Sequence, residues 1–309
     1  MPRAVSQAQR SGVLSVEKGS GVTSFQVVAH LRRLLRAPKV GHGGTLDPDA
    51  TGVLPILIGE ATKLTPYLAE LDKEYLATVT LGLVTDTQDA SGEVIETREV
   101  PPLTADGLRG IVQRFVGNIT QVPPMYSALH HGGKRLYEIA RQGGEVERQP
   151  RQIQVHAITL EALAPPRFTI RVHCGKGTYV RTIAADIGEA LGCGAVLSAL
   201  VRTRVGPYDL ASAVPWVEVR DARDGARLWE RVLPLDSAIQ GLPAITLDPA
   251  VVPAFLHGQA VSAPAAAQGV LRVYASDGGL LGLGVGRGAT VKPERLLHAD
   301  RPRPRVLPG

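Results

Sequence analysis

The sequence predicts a protein of mixed helices and strands that ends in a small β-domain. Alternating, β-branched stretches at Lys73–Leu83 and Phe168–Cys174 are typical of strands, whereas apolar residues at helical spacing after Thr178 indicate a helix. From about residue 243 the chain is rich in Pro, Gly and Ala and contains short strand candidates. A length of 309 residues and a hydrophobic fraction of 44% allow a core of ordinary size and exclude wholesale disorder.

The same patterns predict the remaining elements in chain order. Thr23 and Ser24 are good N-caps for a first helix. The apolar face expected for this helix consists of Phe25, Val28, Leu31 and Leu35. Other predicted elements are a strand at Val13–Val16, a helix at Ala105–Phe115 and a strand at Ile153–Leu160. We expect Thr178 to cap the helix that ends near Gly192.

Composition also restricts where the protein acts. No apolar run approaches the roughly 18 residues of a membrane span, and the N-terminal segment lacks the apolar core of a secretion signal. Cys174 and Cys193 are too few for a disulfide framework or a four-cysteine zinc site. We therefore expect a cytoplasmic protein that does not contact membranes.

Several familiar catalytic motifs are absent. In the segment Gly175–Thr178, Gly177 occupies the position where a phosphate-binding P-loop needs Ser or Thr. No H-E-x-x-H, G-x-S-x-G or G-x-G-x-x-G motif occurs, and the adjacent His130 and His131 are poorly placed to bind one metal ion. These observations exclude P-loop, zincin, α/β-hydrolase and Rossmann interpretations, and we expect no metal site.

One glycine-rich loop, Gly41–Gly52, has the features of a catalytic segment. Its Asp47-Pro48 pair places a carboxylate on a main chain that the proline ring restrains, among glycines that leave space for a large substrate. An ordinary Asp-Pro turn has the same spacing, and the spacing alone favours the turn. Arg181 could keep a nearby carboxylate ionised or be a solvated residue at a helix end. Tyr75 could serve catalysis or simply belong to the core.

At these residues the sequence resembles the TruB-type tRNA pseudouridine synthases, which act on the T-loop uridine at tRNA position 55. The blocks that carry the resemblance occur in the family's order. They are Gly41–Pro48 with the following Ala-Thr-Gly, Gly59–Lys63, Lys73–Tyr75, Gln121–Ala128 and Gly175–Thr182. The resemblance implies an α+β fold, in which helices surround a mixed sheet at residues 1–240. It further implies a small PUA-like β-barrel that binds RNA at residues 243–309.

The resemblance also implies roles for individual residues. Asp47 would be the nucleophile, Tyr75 would stack on the uracil and help remove the C5 proton, and Arg181 would pair with Asp47. The substrate-binding residues implied in the same way are His42, Tyr179, Leu200 and Lys18. The family's Lys-Pro pair is Lys18-Gly19 in this chain, and its Leu-Arg-Arg is Leu200-Val201-Arg202. The reaction is an isomerisation that requires no cofactor.

A basic charge balance is consistent with an RNA substrate. The formal net charge is +5, and residues 241–309, with seven basic and four acidic residues, contribute +3 of it. The resemblance implies that a polar, basic insertion at about residues 123–151, with a short helix predicted at Leu136–Arg141, would clamp the T arm of tRNA; a solvated surface loop would have the same composition. The RNA-binding residues that we expect are Lys134, Arg135, Arg141, Lys292 and Arg295.

Two other classes of function fit parts of the sequence. A non-catalytic RNA-binding or RNA-folding protein would explain the charge, but it would leave Asp47, Tyr75 and Arg181 without a role. An aspartate-nucleophile hydrolase would need a cluster of metal-binding carboxylates, and Asp49 alone is weak support for one. We therefore predict an RNA-modifying isomerase that acts as a monomer on a base flipped out of its stack.

Overall fold

The fold was analysed in a computed structural model, which describes residues 10–127, 130–140 and 142–297. Contacts between Cα atoms divide the chain into two compact units. Unit 1 consists of residues 1–48, 53–69 and 207–309, and unit 2 consists of residues 49–52 and 70–206.

The described residues form both strands and helices, as the sequence predicts. The strands are β1 (Gly12–Lys18), β2 (Val40–His42), β3 (Thr51–Ile58), β4 (Lys73–Leu81), β5 (Leu83–Thr85), β6 (Val94–Thr97), β7 (Gly117–Gln121), β8 (His130–His131), β9 (Lys134–Arg135), β10 (Arg151–Ala164), β11 (Arg167–Cys174), β12 (Ala195–Val205), β13 (Tyr208–Asp209), β14 (Val214–Pro215), β15 (Ala244–Thr246), β16 (Val261–Tyr274) and β17 (Leu280–Leu296).

The α-helices are 5 to 11 residues long and are distributed along the described part of the chain. The α-helices are α1 (Ser24–Leu34), α2 (Thr65–Glu70), α3 (Ala105–Val112), α4 (Leu136–Ala140), α5 (Val180–Ala190), α6 (Trp216–Asp221), α7 (Ala226–Glu230) and α8 (Val252–Leu256). Short 3₁₀ helices cover Gly59–Leu64, Gln113–Phe115 and Leu235–Ile239. None of the helices within the described ranges is long and apolar enough to cross a lipid bilayer.

Unit 2 is built on a mixed sheet with the strand order β12-β4-β11-β10-β7. These strands pair in antiparallel fashion, and the first two residues of β3 pair with β12 in parallel. Because strand side chains alternate between faces, Ala77 and Val79 of β4 point into a core that also contains Val172 of β11 and Ile183 of α5. Tyr75 and Leu200 lie at the margin of this core.

Unit 1 contains the N-terminal strand and helix and the last hundred residues. Strand β1 buries Val13, Leu14 and Val16 together with the polar Ser15 and Lys18, and it pairs in parallel with β14, while β2 pairs in antiparallel fashion with β3. Helix α1 begins with a capping box, in which the Thr23 hydroxyl accepts from the Gln26 N–H and the Gln26 side chain accepts from the Thr23 N–H. This cap fixes where the chain turns from β1 into the helix.

The C-terminal segment forms a three-stranded sheet, β15-β16-β17, within unit 1. Its two long strands exceed the short candidates at 270–274 and 280–285, and their apolar residues form a separate core around Phe255 of α8. The predicted strands of this segment are therefore present in the structure. The PUA-like barrel remains a prediction, as does the boundary of a separate domain at residue 243.

Two expectations about helices are wrong. Phe25, expected on the apolar face of α1, is 75% exposed, and the buried positions of that helix are Ser24, Val27 and Leu31. Thr178 does not cap α5; Tyr179 is the N-cap residue, and the Thr178 hydroxyl donates instead to the Gly175 carbonyl. Helix α1 begins where predicted, and Leu31 and Leu35 of its expected face are buried, so the error concerns Phe25. Helix α5 begins one residue later than a Thr178 cap would place it.

The insertion at residues 123–151 has local structure of its own. Strands β8 and β9 form a two-stranded ribbon, and α4 follows at the position where the sequence predicts a helix. The Arg148 guanidinium donates to the Pro123 carbonyl over 3.2 Å, which connects the two ends of the insertion.

Two helical glycines of unit 2 provide a matched test of this packing. A Cβ atom at Gly188 in α5 would lie 2.2 Å from the Ala195 nitrogen, whereas a Cβ at Gly110 in α3 would meet no atom within 4 Å. We expect Gly188→Ala to lower the free energy of unfolding by about 1–3 kcal/mol because the helix must move away from β12. Gly110→Ala should leave it unchanged or raise it by up to about 1 kcal/mol. Urea denaturation of both variants measures the difference, and equal effects would contradict the close packing of α5 on β12.

Candidate active site

Asp47 is an exposed residue on a main chain that is held on both sides. The Ser24 hydroxyl accepts from the Leu46 N–H over 3.0 Å and donates to the Leu46 carbonyl over 3.1 Å. The Gly21 N–H donates to the Pro48 carbonyl over 3.1 Å. The residues before and after Asp47 are thus fixed to the turn between β1 and α1, while its carboxylate faces outward.

Lys18 supplies the second anchor of this loop. Its side chain is fully buried, and the ammonium group donates to the carbonyls of Gly19 and Val22 and, over 2.8 Å, of Pro48. The sequence predicts a substrate-binding role for Lys18, but a side chain with 0% exposure presents no surface to an RNA in this structure. These hydrogen bonds hold the main chain next to Asp47, and the substrate-binding role of Lys18 stays a prediction.

The glycines of the same loop allow it to lie against α2. A Cβ at Gly43 would approach the Leu68 side chain to 2.6 Å, and Leu68 is fully buried. The Gly44 N–H donates to Nδ1 of His42 over 3.3 Å. This contact requires an unprotonated Nδ1, so the neutral imidazole carries its proton on Nε2. His42 is half-buried. Its contact with displaced nucleotides stays a prediction.

In unit 2, the beginning of β3 runs directly beside β12. A Cβ at Gly52, whose φ is +105°, would lie 2.2 Å from the Arg202 carbonyl oxygen, so only glycine fits this position. On the neighbouring strand Tyr75 pairs with Arg202, and Leu200 pairs with Ala77. Tyr75 and Leu200 are both half-buried at the core margin, which leaves part of each side chain accessible.

Arg181 lies in the first turn of α5 and is 7% exposed, so it is not a solvated residue at a helix end. Its guanidinium forms an ion pair with Asp89 over 3.3 Å and donates to the Tyr126 carbonyl over 2.8 Å. The pairing of Arg181 with Asp47 stays a prediction.

Asp89 is itself held in place by the loop that precedes β6. Its Oδ1 accepts from the Thr87 hydroxyl over 2.7 Å, from the Ser91 hydroxyl over 2.6 Å and from the Ser91 N–H over 3.0 Å. One carboxylate oxygen therefore binds its own loop and the other binds Arg181. This arrangement keeps the guanidinium in one orientation.

Tyr179 is fixed through its main chain by a side-chain amide. Gln121, which is 2% exposed, accepts from the Tyr179 N–H over 2.9 Å and donates to the Tyr179 carbonyl over 3.1 Å. These two hydrogen bonds fix the main chain of Tyr179 to the last residue of β7. The Tyr179 ring is half-buried. Its role in lining a base pocket stays a prediction.

Two buried side chains, Lys73 and Cys174, lie next to each other where β4 begins and β11 ends. Lys73 is 8% exposed, and burial together with the nearby Arg202 charge lowers the pKa of its ammonium group. Burial raises the pKa of the adjacent Cys174 thiol to about 11. The thiol therefore remains protonated near neutral pH and is not a nucleophile.

The expected RNA-binding residues are only partly described. Lys134 and Arg135 form strand β9, of which the structure describes the main chain, and Arg141 lies outside the described residues. Lys292 and Arg295 are exposed on β17. Contacts of all five residues with RNA remain predictions.

Sequence reasoning missed the three residues that hold Tyr179 and Arg181 in unit 2. Gln121 and Tyr126 fall inside a motif block that was recognised, but nothing in the block indicates which partners they bind. Asp89 carries no signal of its own, because an aspartate in a Thr-Gln-Asp-Ala-Ser turn is ordinary turn composition. Its pairing with Arg181, 92 residues away, is visible only in three dimensions.

Models of protein families match nearly all of the described chain. The N-terminal domain model of the TruB family of pseudouridylate synthases matches residues 32–180. A model of the tRNA pseudouridylate synthase B C-terminal domain matches residues 181–240, and one of the pseudouridine synthase II TruB C-terminus matches residues 243–297. The chain belongs to the TruB family of pseudouridine synthases. The family matches cover every block on which the resemblance was based.

Curated relatives of this TruB-family chain are similar over almost their full length. The protein named tRNA pseudouridine synthase B from Dechloromonas aromatica (strain RCB) is 46% identical over 291 residues, covering 94% of this chain and 96% of the relative. The protein of the same name from Burkholderia mallei (strain NCTC 10247) is 47% identical over 296 residues, covering 93% and 96%.

Solved structures confirm the pseudouridine synthase fold of the TruB-family chain. A chain from the crystal structure of a Cbf5–Nop10–Gar1 complex superposes with a TM-score of 0.74 at 26% sequence identity, covering 96% of this chain and 88% of that chain. A chain from the archaeal box H/ACA sRNP Nop10–Cbf5 complex gives a TM-score of 0.71 at 25% identity, covering 96% and 89%.

The positioning role of Lys18 is tested by Lys18→Met. We expect the free energy of unfolding to fall by about 2–4 kcal/mol, because buried carbonyls lose a charged donor. We also expect kcat for pseudouridine formation in an RNA substrate to fall while KM changes little, because the lost contacts are with the main chain around Asp47.

Lys39→Met is the matched control, since Lys39 is an exposed lysine of the same unit. It should change neither the free energy of unfolding nor the kinetic constants. A rise in KM at unchanged kcat in Lys18→Met would instead indicate a direct substrate contact.

Proposed function

We propose that this protein converts the T-loop uridine at position 55 of tRNA to pseudouridine, with Asp47 as the nucleophile. The observation that carries the proposal is the exposed carboxylate of Asp47 on a main chain that Lys18 and Ser24 hold in place. A nucleophile that must reach a base inside a folded RNA needs this combination of exposure and fixed geometry. The names of the relatives from Dechloromonas aromatica and Burkholderia mallei point to the same class of substrate.

The reaction needs one carboxylate and a means of moving protons. Asp47 attacks either the base or the sugar and forms a covalent bond to it, and the bond between N1 of the uracil and C1′ of the ribose breaks. The base turns and forms a bond between its C5 and C1′, after which C5 loses its proton and N1 gains one. The bond to Asp47 breaks again when the new glycosidic bond has formed or as it forms, which returns the free carboxylate. Atoms and electrons balance within the nucleotide and solvent, so the isomerisation consumes no cofactor.

The remaining residues have supporting roles in this proposal. Tyr75 stacks on the uracil and helps to remove the C5 proton, and Arg181 keeps the Asp47 carboxylate ionised. Tyr179 and Leu200 line the base pocket; both are half-buried, and Leu200 packs against the unit 2 core. His42 contacts the nucleotides that move when the target base leaves its stack. The flipping step itself costs a few kcal/mol, which RNA contacts elsewhere must supply.

The partner in this proposal is the T arm of tRNA, bound by one copy of the protein in the cytoplasm. The insertion at residues 123–151 clamps the arm with Lys134, Arg135 and Arg141, and the C-terminal segment binds RNA with Lys292 and Arg295. The exposure of the last two side chains on β17 leaves them available to phosphates.

The nucleophile is tested by Asp47→Asn, with Asp49→Asn as the matched control. Both residues are exposed carboxylates of one loop, two positions apart. Release of tritium from tRNA labelled at uracil C5 should fall at least about a thousandfold in Asp47→Asn, as expected when a nucleophile is removed. Asp49→Asn should retain most of the activity, and both variants should bind tRNA as the wild type does.

Two outcomes of this experiment would overturn parts of the proposal. Substantial tritium release by Asp47→Asn would refute the assignment of the nucleophile. No release by the wild type, with normal tRNA binding, would favour a non-catalytic RNA-binding protein. Replacement of U55 by C in the tRNA should abolish release, and continued release would show that the target uridine lies elsewhere.

The RNA-binding role of β17 is tested by the double variant Lys292→Gln/Arg295→Gln. If both side chains contact phosphates, tRNA affinity falls and the slope of log K against log salt concentration decreases by about 2. Arg109→Gln serves as a control, because Arg109 is an exposed arginine that pairs with Asp106 in α3. An unchanged slope in the double variant would show that these residues do not contact RNA.

A further inference from the structure

Three side chains that the proposed reaction does not use converge on one surface of unit 2. Asp72 precedes β4, His156 belongs to β10 and His173 belongs to β11. Nε2 of His156 lies 3.1 Å from one carboxylate oxygen of Asp72, and Nε2 of His173 lies 3.9 Å from the other. The two imidazole rings are 4.7 Å apart between centroids. In the described part of the chain, these residues form the one group of three or more His, Cys, Asp or Glu side chains whose potential ligand atoms all lie within 4.8 Å of one another.

A β-bulge brings the two histidines to the same face of the sheet. Val155 pairs with Cys174 and Ala157 pairs with His173, so His156 is an extra residue without a partner on β11. The inner positions Val155 and Ile158 are buried, and the two residues between them point outward. Regular alternation would place His156 and Ala157 on opposite faces, whereas the bulge directs the His156 imidazole toward His173.

The carboxylate is also placed by the fold. The Asp72 carbonyl accepts from the Gly206 N–H over 2.9 Å, and Lys73, the next residue, pairs with Cys174 in the sheet. Within the described ranges, the ion-pair partners of Asp72 are these two imidazoles. The nearby Lys176 is paired with Glu70, and the buried Lys73 ammonium group interacts electrostatically with Asp72. The cluster itself offers one carboxylate and two imidazole nitrogens, which are ligand groups for a cation.

We propose that Asp72, His156 and His173 bind a divalent transition-metal ion of the Zn²⁺ class. Two imidazole nitrogens and one carboxylate oxygen are a donor set that zinc sites use, with a fourth position left for solvent. Bonds of about 2.1 Å in a tetrahedral site put ligand atoms about 3.4 Å apart. The observed distances require only small rotations of side chains that are 35–51% exposed.

A bound ion would join three strands at the edge that supports the candidate active site. It would connect β10 to the beginning of β4 across β11, and Tyr75 lies three residues after Asp72. None of the three ligands is among the residues proposed to touch the substrate. The ion would therefore act as a structural brace for unit 2, separate from the chemistry at Asp47.

Titration of the full-length protein with Co²⁺, followed by visible absorption, tests the site directly. The wild type should take up one equivalent with the absorption of a nitrogen- and oxygen-coordinated ion. His156→Ala and His173→Ala should each weaken binding at least tenfold, because loss of a second-shell partner alone typically weakens it about 10- to 100-fold. His257→Ala is the matched control, since His257 is an exposed histidine of unit 1 outside any such cluster, and it should bind as the wild type does.

The stability of the protein gives a second, independent measurement. Zn²⁺ should raise the Tm of the wild type and of Asp47→Asn, and it should not raise the Tm of His173→Ala; Mg²⁺, which prefers oxygen ligands, should raise none of them. Equal Co²⁺ binding by the wild type and both histidine variants would place the metal elsewhere, for instance at His130 and His131, and would overturn the proposal. Absence of Co²⁺ binding by the wild type would overturn it as well. Neither result would affect the proposed reaction, which tritium release measures separately.

Discussion

The ammonium group of Lys18 lies inside unit 1 with three carbonyl oxygens around it, and the loop that carries Asp47 depends on this contact. A buried charge is unfavourable by several kcal/mol unless dipoles replace the lost water, so the carbonyls of Gly19, Val22 and Pro48 must keep pointing at it. Any other path of the loop would leave both the charge and the carbonyls unsatisfied. In this chain Gly19 follows the lysine where the family has proline. The ammonium group thus supplies, through hydrogen bonds, the restraint that a proline ring would otherwise give the turn.

In unit 2, the residues proposed to bind the substrate are held by an ion pair and by a neutral side-chain amide. Arg181 and Tyr179 are adjacent to the first turn of α5, and both are held by partners from earlier parts of the chain, Asp89 and Gln121. Asp89 is fixed by its own loop through one carboxylate oxygen, and Gln121 binds Tyr179 through both ends of its amide, so each partner holds its target in one orientation. Residues proposed to touch the substrate are therefore supported by residues that do not touch it, which is how preorganised sites keep their geometry without strain. The Asp72–His156–His173 cluster likewise takes no part in the proposed reaction, but it lies next to strands that carry residues proposed to take part.

Much of the fold could be predicted from the sequence, because alternation and capping are local. The strands at β4, β10 and β11 and the first helix follow from patterns of a few residues. The apolar face of α1 was predicted only in part: Leu31 and Leu35 are buried as expected, whereas Phe25 is exposed, because the face that meets the core depends on packing against residues distant in sequence. Asp47, Tyr75 and Arg181 were found through motif blocks, whereas Asp89 was not. Contacts between residues far apart in sequence, such as the ion pair of Asp89 with Arg181, leave no periodic trace in the chain.

The Gln121 side chain has a further consequence for the segment that leads to α5. Two residues of an antiparallel ladder exchange an N–H and a carbonyl in both directions, and the Gln121 amide offers the same pair of groups to Tyr179. The amide thus stands in for the main chain of a neighbouring strand at a place where the sheet has ended. Residues 175–179 can consequently remain without regular secondary structure and still have the rigidity of a paired strand at Tyr179. A glutamate at position 121 would have the same shape, yet it would present a second acceptor to the Tyr179 carbonyl and release this segment.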